Sequence, residues 1–493
     1  MANNNSSAPE LQKSLNPLNV WAIAFGCIIG WGSFINPGKK FLPNSGVYGT
    51  AIAMLLGALV MVIIAFSYSY MVPKFPKAGG EFTFTQNCFG NNAAYLCGWF
   101  LVAAYLTNVP MNSTAIGLIV DGLDGDANIL KFGFHYQIAG FDVWMGEMIL
   151  ALAILIIFGL LNIWGVQKAG FIQTILAALL AVCAFTLCFA GIFSAKAKGI
   201  NMEPVWGFDK AAALAANATT ENIGDFAHVG TKGIMSAVLA TFAIAPWAFV
   251  GFDTIPQAAE EFKFSHKKVM LIMVVAIAFG GFVYISNNTV AAAALQYWPD
   301  RVLAGDWVLL IAAEELLGVF GKVLIGVGVS CAVLSGMMGF YLASSRLMFS
   351  MSRDGFLPKW FGKLDEKRQT PKNAMIFCII ISLSGPILGR EALGWFVDMS
   401  AIGASIGYFF TSAATLVIIK RDKDGSAFLK IMAGLGVAFS AIFMILQLVP
   451  IPGLEGVHFG KESYIMLLVW IVIGIAFYIK QRKSFSQSPL IKS

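Results

Sequence analysis

The chain has 493 residues, 58% of them hydrophobic and only 12% charged, with a mean hydropathy of +0.75 and a net charge of +6. That composition excludes an ordinary soluble domain and a disordered chain, and describes a polytopic membrane protein. Seven cysteines lie in or beside apolar runs and four histidines are scattered, so neither a disulfide framework nor a metal site is expected, and no cofactor is implied.

In chain order, a polar tail over residues 1–17 carries no signal-peptide pattern. Twelve runs long enough to cross a bilayer follow, near 18–43, 48–72, 94–120, 143–164, 170–194, 232–259, 267–295, 322–350, 373–389, 393–419, 428–450 and 463–480. An amphipathic stretch starting at Trp307 predicts a helix lying at the outer face. With the N-terminus placed in the cytoplasm, about two thirds of the Lys and Arg residues fall inside. Asp121, Asp124, Asp126, Asp300, Asp306, Glu314 and Glu315 then fall outside, so both termini are expected to be cytoplasmic.

Two runs are interrupted. The first contains Gly26, Gly30 and Gly32 within seven residues, which weakens helix where hydrocarbon demands it. The sixth contains Pro246, Gly251 and the ionisable Asp253. Paired interruptions in the two halves of a membrane protein point to a transporter's midplane site. Close packing through small residues is the alternative for either one.

Several phrases together resemble the amino acid–polyamine–organocation permeases. They are Gly26 to Phe34, Pro76 to Phe84, Phe249 to Phe262, and Ala343 to Pro358 with Thr370 to Ala374. The resemblance covers about Leu18 to Lys420 and implies the leucine-transporter fold. That is an all-α membrane protein of twelve transmembrane helices, with a 5+5 inverted repeat, discontinuous helices one and six, and two C-terminal helices. The repeats would occupy 18–194 and 232–420, with an extracellular loop over 195–231. Two helices would lie in 421–481 and a cytoplasmic tail in 482–493. The resemblance also implies a secondary transporter of the plasma (inner) membrane, moving an amino acid or amine by exchange, proton symport or sodium symport. Its partners would be a small-molecule substrate and the bilayer, with no nucleic acid.

On that resemblance, Gly30, Trp31, Gly32 and Ser33 form a cradle for carboxylate, and Ile28, Ile29, Trp247 and Ala248 offer carbonyls to the amine, with Phe249 and Gly251 beside them. Free N–H groups suit a carboxylate, and half-helix carbonyls suit an ammonium. The family commonly has a small residue where Trp31 stands, so Trp31 either fills part of the pocket or turns away to pack. Trp247 matches an aromatic gate, or is a core tryptophan. Asp253 matches a pH-linked acid, or caps a half-helix with Thr254 and Gln257 in a capping box. Asn108 and Asn112 touch the substrate or bond between helices, and Asn287 and Asn288 bond between helices. Gly339 leaves room for a larger substrate. Glu81, Glu260 and Glu261 face Arg346 as an inner gate, or form a solvated surface. Residues 172–193 hold no Lys, Arg, Asp or Glu, which excludes the lysine-based proton coupling of some family members. A membrane sensor, an enzyme or a channel would need an added signalling domain, a polar cluster or a pore ring; the sequence offers none of them.

Overall fold

A computed structural model describes residues 11–138, 141–390, 392–451 and 458–485. The predicted tails fall largely outside this set. Helix α1, Pro17–Ile28, starts at an Asn16 cap reinforced by Asn19, with Pro17 in the first turn where its missing N–H costs nothing. Ile29 leaves helical geometry at φ −91°, ψ 86° and the chain breaks. Helix α2, Gly32–Asn36, resumes and passes through a π-helical turn, Pro37–Phe41, into α3, Leu42–Lys74.

The sequence predicts separate first and second spans. They meet at Gly46, where the backbone leaves helical geometry at φ 61°, ψ −159°, so two helices join across a kink there. A Cβ on Gly46 would lie 2.2 Å from the Val205 carbonyl oxygen, so glycine lets the 205–207 loop pack into the bend.

The chain then forms α4, Gly80–Phe89, and the long α5, Asn91–Asp124. A short hairpin absent from the sequence expectations follows, β1 His135–Ile138 against β2 Phe141–Trp144, with His135 opposite Trp144. Next come α6, Met145–Ile163, α7, Val166–Phe193, and the loop helix α8, Lys210–Ala215. The interrupted sixth run is α9, Gly230–Phe242, then two single turns, α10, Ala245–Ala248, and α11, Thr254–Gln257. The rest is α12, Val269–Ala293; α13, Trp298–Ala304; α14, Val308–Leu317; α15, Val319–Arg353; α16, Lys372–Ser382; α17, Ser384–Leu388; α18, Ala392–Asp422; α19, Ala427–Leu448; and α20, Lys461–Gln481. The helix predicted from Trp307 is α14.

Among the described residues, ten helical stretches are long and apolar enough to cross a membrane, and Pro17–Ile28 and Lys372–Leu388 are shorter apolar helices. Helix α5 lies at the centre, buried along most of its length and packed on α15, α18 and α4. Helices α19 and α20 lie at the edge with most of their apolar surface uncovered, as a lipid-facing helix requires. All seven cysteines are free.

Candidate functional site

The two breaks meet. Gly251 sits at φ 145°, and a Cβ there would lie 2.7 Å from both Cys27 Cβ and the Ile28 nitrogen. Only glycine combines that backbone angle with that approach. The three glycines of the first break have separate roles. Gly26 packs against Gln173 and Ser335 with no room for a side chain, as in the small-residue packing alternative. Gly32 lies under the Trp247 ring, 2.3 Å from its nearest carbon if a Cβ is added. Gly30 is half-buried and faces open space, with only Asn112 Oδ1 in front of it, at 3.7 Å.

Polar groups without partners converge there. Asn112 Oδ1 and Trp31 Nε1 are buried and unpaired. The N–H groups of Trp31 and Gly32, and the carbonyls of Ile29, Ala248 and Phe249, have no recorded hydrogen bond among the described residues. A buried polar group without a partner is costly, so this concentration is the candidate place for a ligand. Two predicted carbonyl donors of charge are already engaged. Ile28 O accepts from Gly30 N at 3.2 Å and Tyr284 OH at 3.3 Å, and Trp247 O accepts from Val250 N at 3.2 Å. Ser33 Oγ donates to Gly30 O at 3.0 Å. Trp31 and Trp247 lie side by side, ring centroids 6.1 Å apart and tilted by 54°.

Other predicted residues serve packing. Asn108 Nδ2 donates to Ser400 Oγ at 2.7 Å, Asn287 Nδ2 to Ser33 O at 3.0 Å and Asn288 Nδ2 to Gly46 O at 3.1 Å. Gly339 leaves no substrate room, because a Cβ would lie 2.2 Å from Cys27 Sγ. That glycine admits α1 against α15, which corrects the sequence expectation.

Asp253 is not a side-chain cap. Its Oδ1 accepts from Gly251 N at 2.7 Å and its Oδ2 from Tyr105 OH at 3.0 Å. The expected capping box with Gln257 is absent as well. Gln257 Nε2 instead donates to Glu81 Oε2 at 2.6 Å, while Tyr68 OH donates to Glu81 Oε1 at 2.7 Å. Two fully buried carboxylates, Glu81 and Asp253, thus share one chamber with neutral partners. Burial pushes the Glu81 carboxyl up, and the nearby charge of Asp253 adds to the effect. Glu81 therefore does not face Arg346, as the sequence reading expected; α4 aims it at the Asp253 chamber.

Arg346 pairs with Glu261 instead, Nε to Oε1 at 2.7 Å, with both side chains 1% exposed. Arg353 Nη2 bonds Glu260 Oε1 at 2.7 Å, and Glu260 also accepts from the N–H groups of Ala78 and Leu11. The N-terminal segment closes over this end. Ser14 and Leu15 N–H both donate to Glu261 O, and Lys263 N donates to Leu15 O. At the opposite end Arg390 reaches Asp121 and Glu147, the latter at 2.7 Å, and Trp307 Nε1 donates to Phe34 O at 2.9 Å. The sequence does not point to Arg390, Tyr68 or Tyr105, nor to the bond from Trp307 to Phe34, because no spacing along the chain signals these distant pairings. Among the described residues no group of three or more His, Cys, Asp or Glu is placed to hold a metal.

The profile of a family described as amino acid permease matches residues 15–478. The branched-chain amino acid permease BcaP of Bacillus subtilis (strain 168) is 24% identical over 98% of this chain and 96% of its own length. The methylthioribose transporter of the same organism is 23% identical, covering 97% of this chain and 95% of the relative. The human large neutral amino acids transporter small subunit 2 is 27% identical over 76% of this chain and 64% of its own length. A match along nearly the whole chain, over a helical membrane fold with two touching breaks, means that the protein belongs to the amino acid permease family of the amino acid–polyamine–organocation superfamily.

Proposed function

We propose that the protein is a secondary active transporter that binds a neutral amino acid at the two touching breaks and moves it by alternating access. The observation that carries this reading is the convergence of unpaired polar groups around Gly30. The N–H groups of Trp31 and Gly32 would receive the carboxylate, and the carbonyls of Ile29, Ala248 and Phe249 the ammonium. Asn112 Oδ1 and Trp31 Nε1 add one acceptor and one donor. The flanking side chains are Trp31, Trp247 and Asn112, all uncharged, which favours an apolar substrate side chain over a cationic one. Relatives named for branched-chain and large neutral amino acids agree with that preference.

In this reading the chain crosses the plasma membrane twelve times. The broken α1–α2 path makes the first crossing and α16–α17 the ninth, and the two halves form inverted repeats. Both termini lie in the cytoplasm, so the end closed by Arg346, Glu261 and the N-terminal segment faces inward. The chamber of Glu81 and Asp253, lined by neutral partners, is suited to carry a coupling proton; substrate exchange is the alternative.

Binding and uptake of radiolabelled leucine, arginine and putrescine by purified protein and proteoliposomes test this. Leucine is expected to bind and be taken up. Gly30→Ala is expected to keep uptake, since its Cβ meets only Asn112 at ordinary contact distance, and Gly30→Leu to abolish binding without loss of folded protein. Full leucine binding in Gly30→Leu would overturn the site.

A further inference from the structure

A cavity lies at the end of the molecule that carries the N-terminal segment. It has a volume of about 200 Å³, and Lys13, Lys168, Lys263 and Arg368 line it together with Ser14 and Trp164. These four cations come from four separate parts of the chain: the N-terminal segment, the start of α7, the segment after the second break, and the loop before α16. None of the four makes an ion pair or a side-chain hydrogen bond among the described residues. Asp365, the acid in the Arg368 turn, accepts from the backbone N–H groups of Lys367 and Arg368 instead. Ser14 Oγ at the wall is buried and unpaired. The four exposed cations line one cavity, so their fields add there and favour an anion.

The surroundings favour an anion attached to a lipid. Trp164 is 53% exposed, as interfacial tryptophans are. It shares one helical face with Leu160 and Ile157, spaced four and seven residues back, which are exposed and apolar. Lys168 shares a face of α7 with Phe171 and Ile175, also exposed. Two apolar stripes thus lead from the cavity along the membrane face, where an acyl chain would lie. Helix α7 has no side-chain cap at Gly165, so its first-turn N–H groups add donors beside the cations.

We propose that this cavity binds the phosphate headgroup of an anionic phospholipid from the adjacent leaflet. Basic pockets between membrane helices suit such headgroups. Because Ser14 and Leu15 are tied to Glu261, and Lys263 to Leu15, a headgroup held between Lys13 and Lys263 would fasten the closed N-terminal segment. The proposal is independent of which substrate is carried.

The test is thermal unfolding of the full-length protein in neutral detergent with short-chain phosphatidylglycerol, with phosphatidylcholine of equal chain length, or with inorganic phosphate. Phosphatidylglycerol is expected to raise the melting temperature in a saturable way, and the other two are not. The variant Lys168→Gln/Lys263→Gln/Arg368→Gln is expected to lose the shift, with affinity falling roughly fivefold per charge removed. A control, Lys420→Gln/Lys423→Gln/Lys430→Gln, keeps it. Should the triple variant fold poorly, Lys168→Gln alone, at an exposed position, is expected to weaken the apparent affinity by the same single step. Equal shifts with phosphatidylcholine, or equal losses in both triple variants, would overturn the site. An equal shift with inorganic phosphate would overturn the lipid as its occupant.

Discussion

The two ends of the helix bundle are closed by the same chemistry in different surroundings. At the N-terminal end, Arg346 and Glu261 are 1% exposed, and backbone hydrogen bonds from Ser14 and Leu15 seal them in. At the opposite end Arg390 is 22% exposed and holds Asp121 and Glu147, whose side chains are 17% and 10% exposed. A buried ion pair adds little beyond an apolar pair of the same shape, but removing one partner strands a charge at a cost of about 3–5 kcal/mol. A solvent-reached pair is worth about 0–1 kcal/mol. In the proposed transport cycle the N-terminal end would act as a latch that opens as a unit, and the opposite end as a more loosely held door. A transporter resting with its latch closed and its door ready to open would first offer its site to the side of Arg390.

The largest test of that contrast is Glu261→Gln, which strands the Arg346 charge. The latch should lose about 3–5 kcal/mol. In a cysteine-less background carrying Leu15→Cys, maleimide labelling should then rise by more than tenfold. Unchanged labelling would mean that the backbone bonds alone close this end.

Gly339→Leu comes next. It drives a side chain into Cys27, where overpacking costs about 1–3 kcal/mol, and should lower the melting temperature without changing which substrates bind. A change in substrate preference at full stability would restore Gly339 to the pocket.

The third test is pH dependence. Glu81 holds its proton more tightly in the folded chamber than in the unfolded chain. Its contribution to the closed fold is thus complete below the ordinary glutamate range, and is lost as pH rises through its raised value. Closed-state stability and uptake should fall together over that window, and Glu81→Gln should flatten the fall. Asp253→Asn should flatten the uptake profile while sparing binding. Parallel profiles for wild type and both variants would favour exchange.

The smallest expected effect is Arg390→Gln, about 1 kcal/mol or less, shrinking further in high salt. A loss as large as that of Glu261→Gln would erase the difference between the two ends.

The sequence by itself determined the membrane class, the placement of most helices and the two breaks. Those features are written locally: apolar length sets a crossing, and glycine and proline set an interruption. It also grouped Glu261 with Glu81 and Glu260 opposite Arg346, without deciding which of them would pair with it. Tertiary structure decided which way each side chain turned. Gly26, Gly30 and Gly32 look alike along the chain, yet one packs, one opens onto the site and one lies under Trp247. Gly339 looked like space and is a contact. Glu81 was assigned to the arginine latch, but α4 turns it toward Tyr68, Gln257 and the chamber of Asp253. The kink between the first and second spans falls at Gly46 because the 205–207 loop packs against it. The physical reason is common to all of these. Hydrophobicity and backbone propensity act over a few residues, whereas a pocket and the partner of a buried charge depend on groups that meet across hundreds of positions, which no local pattern encodes.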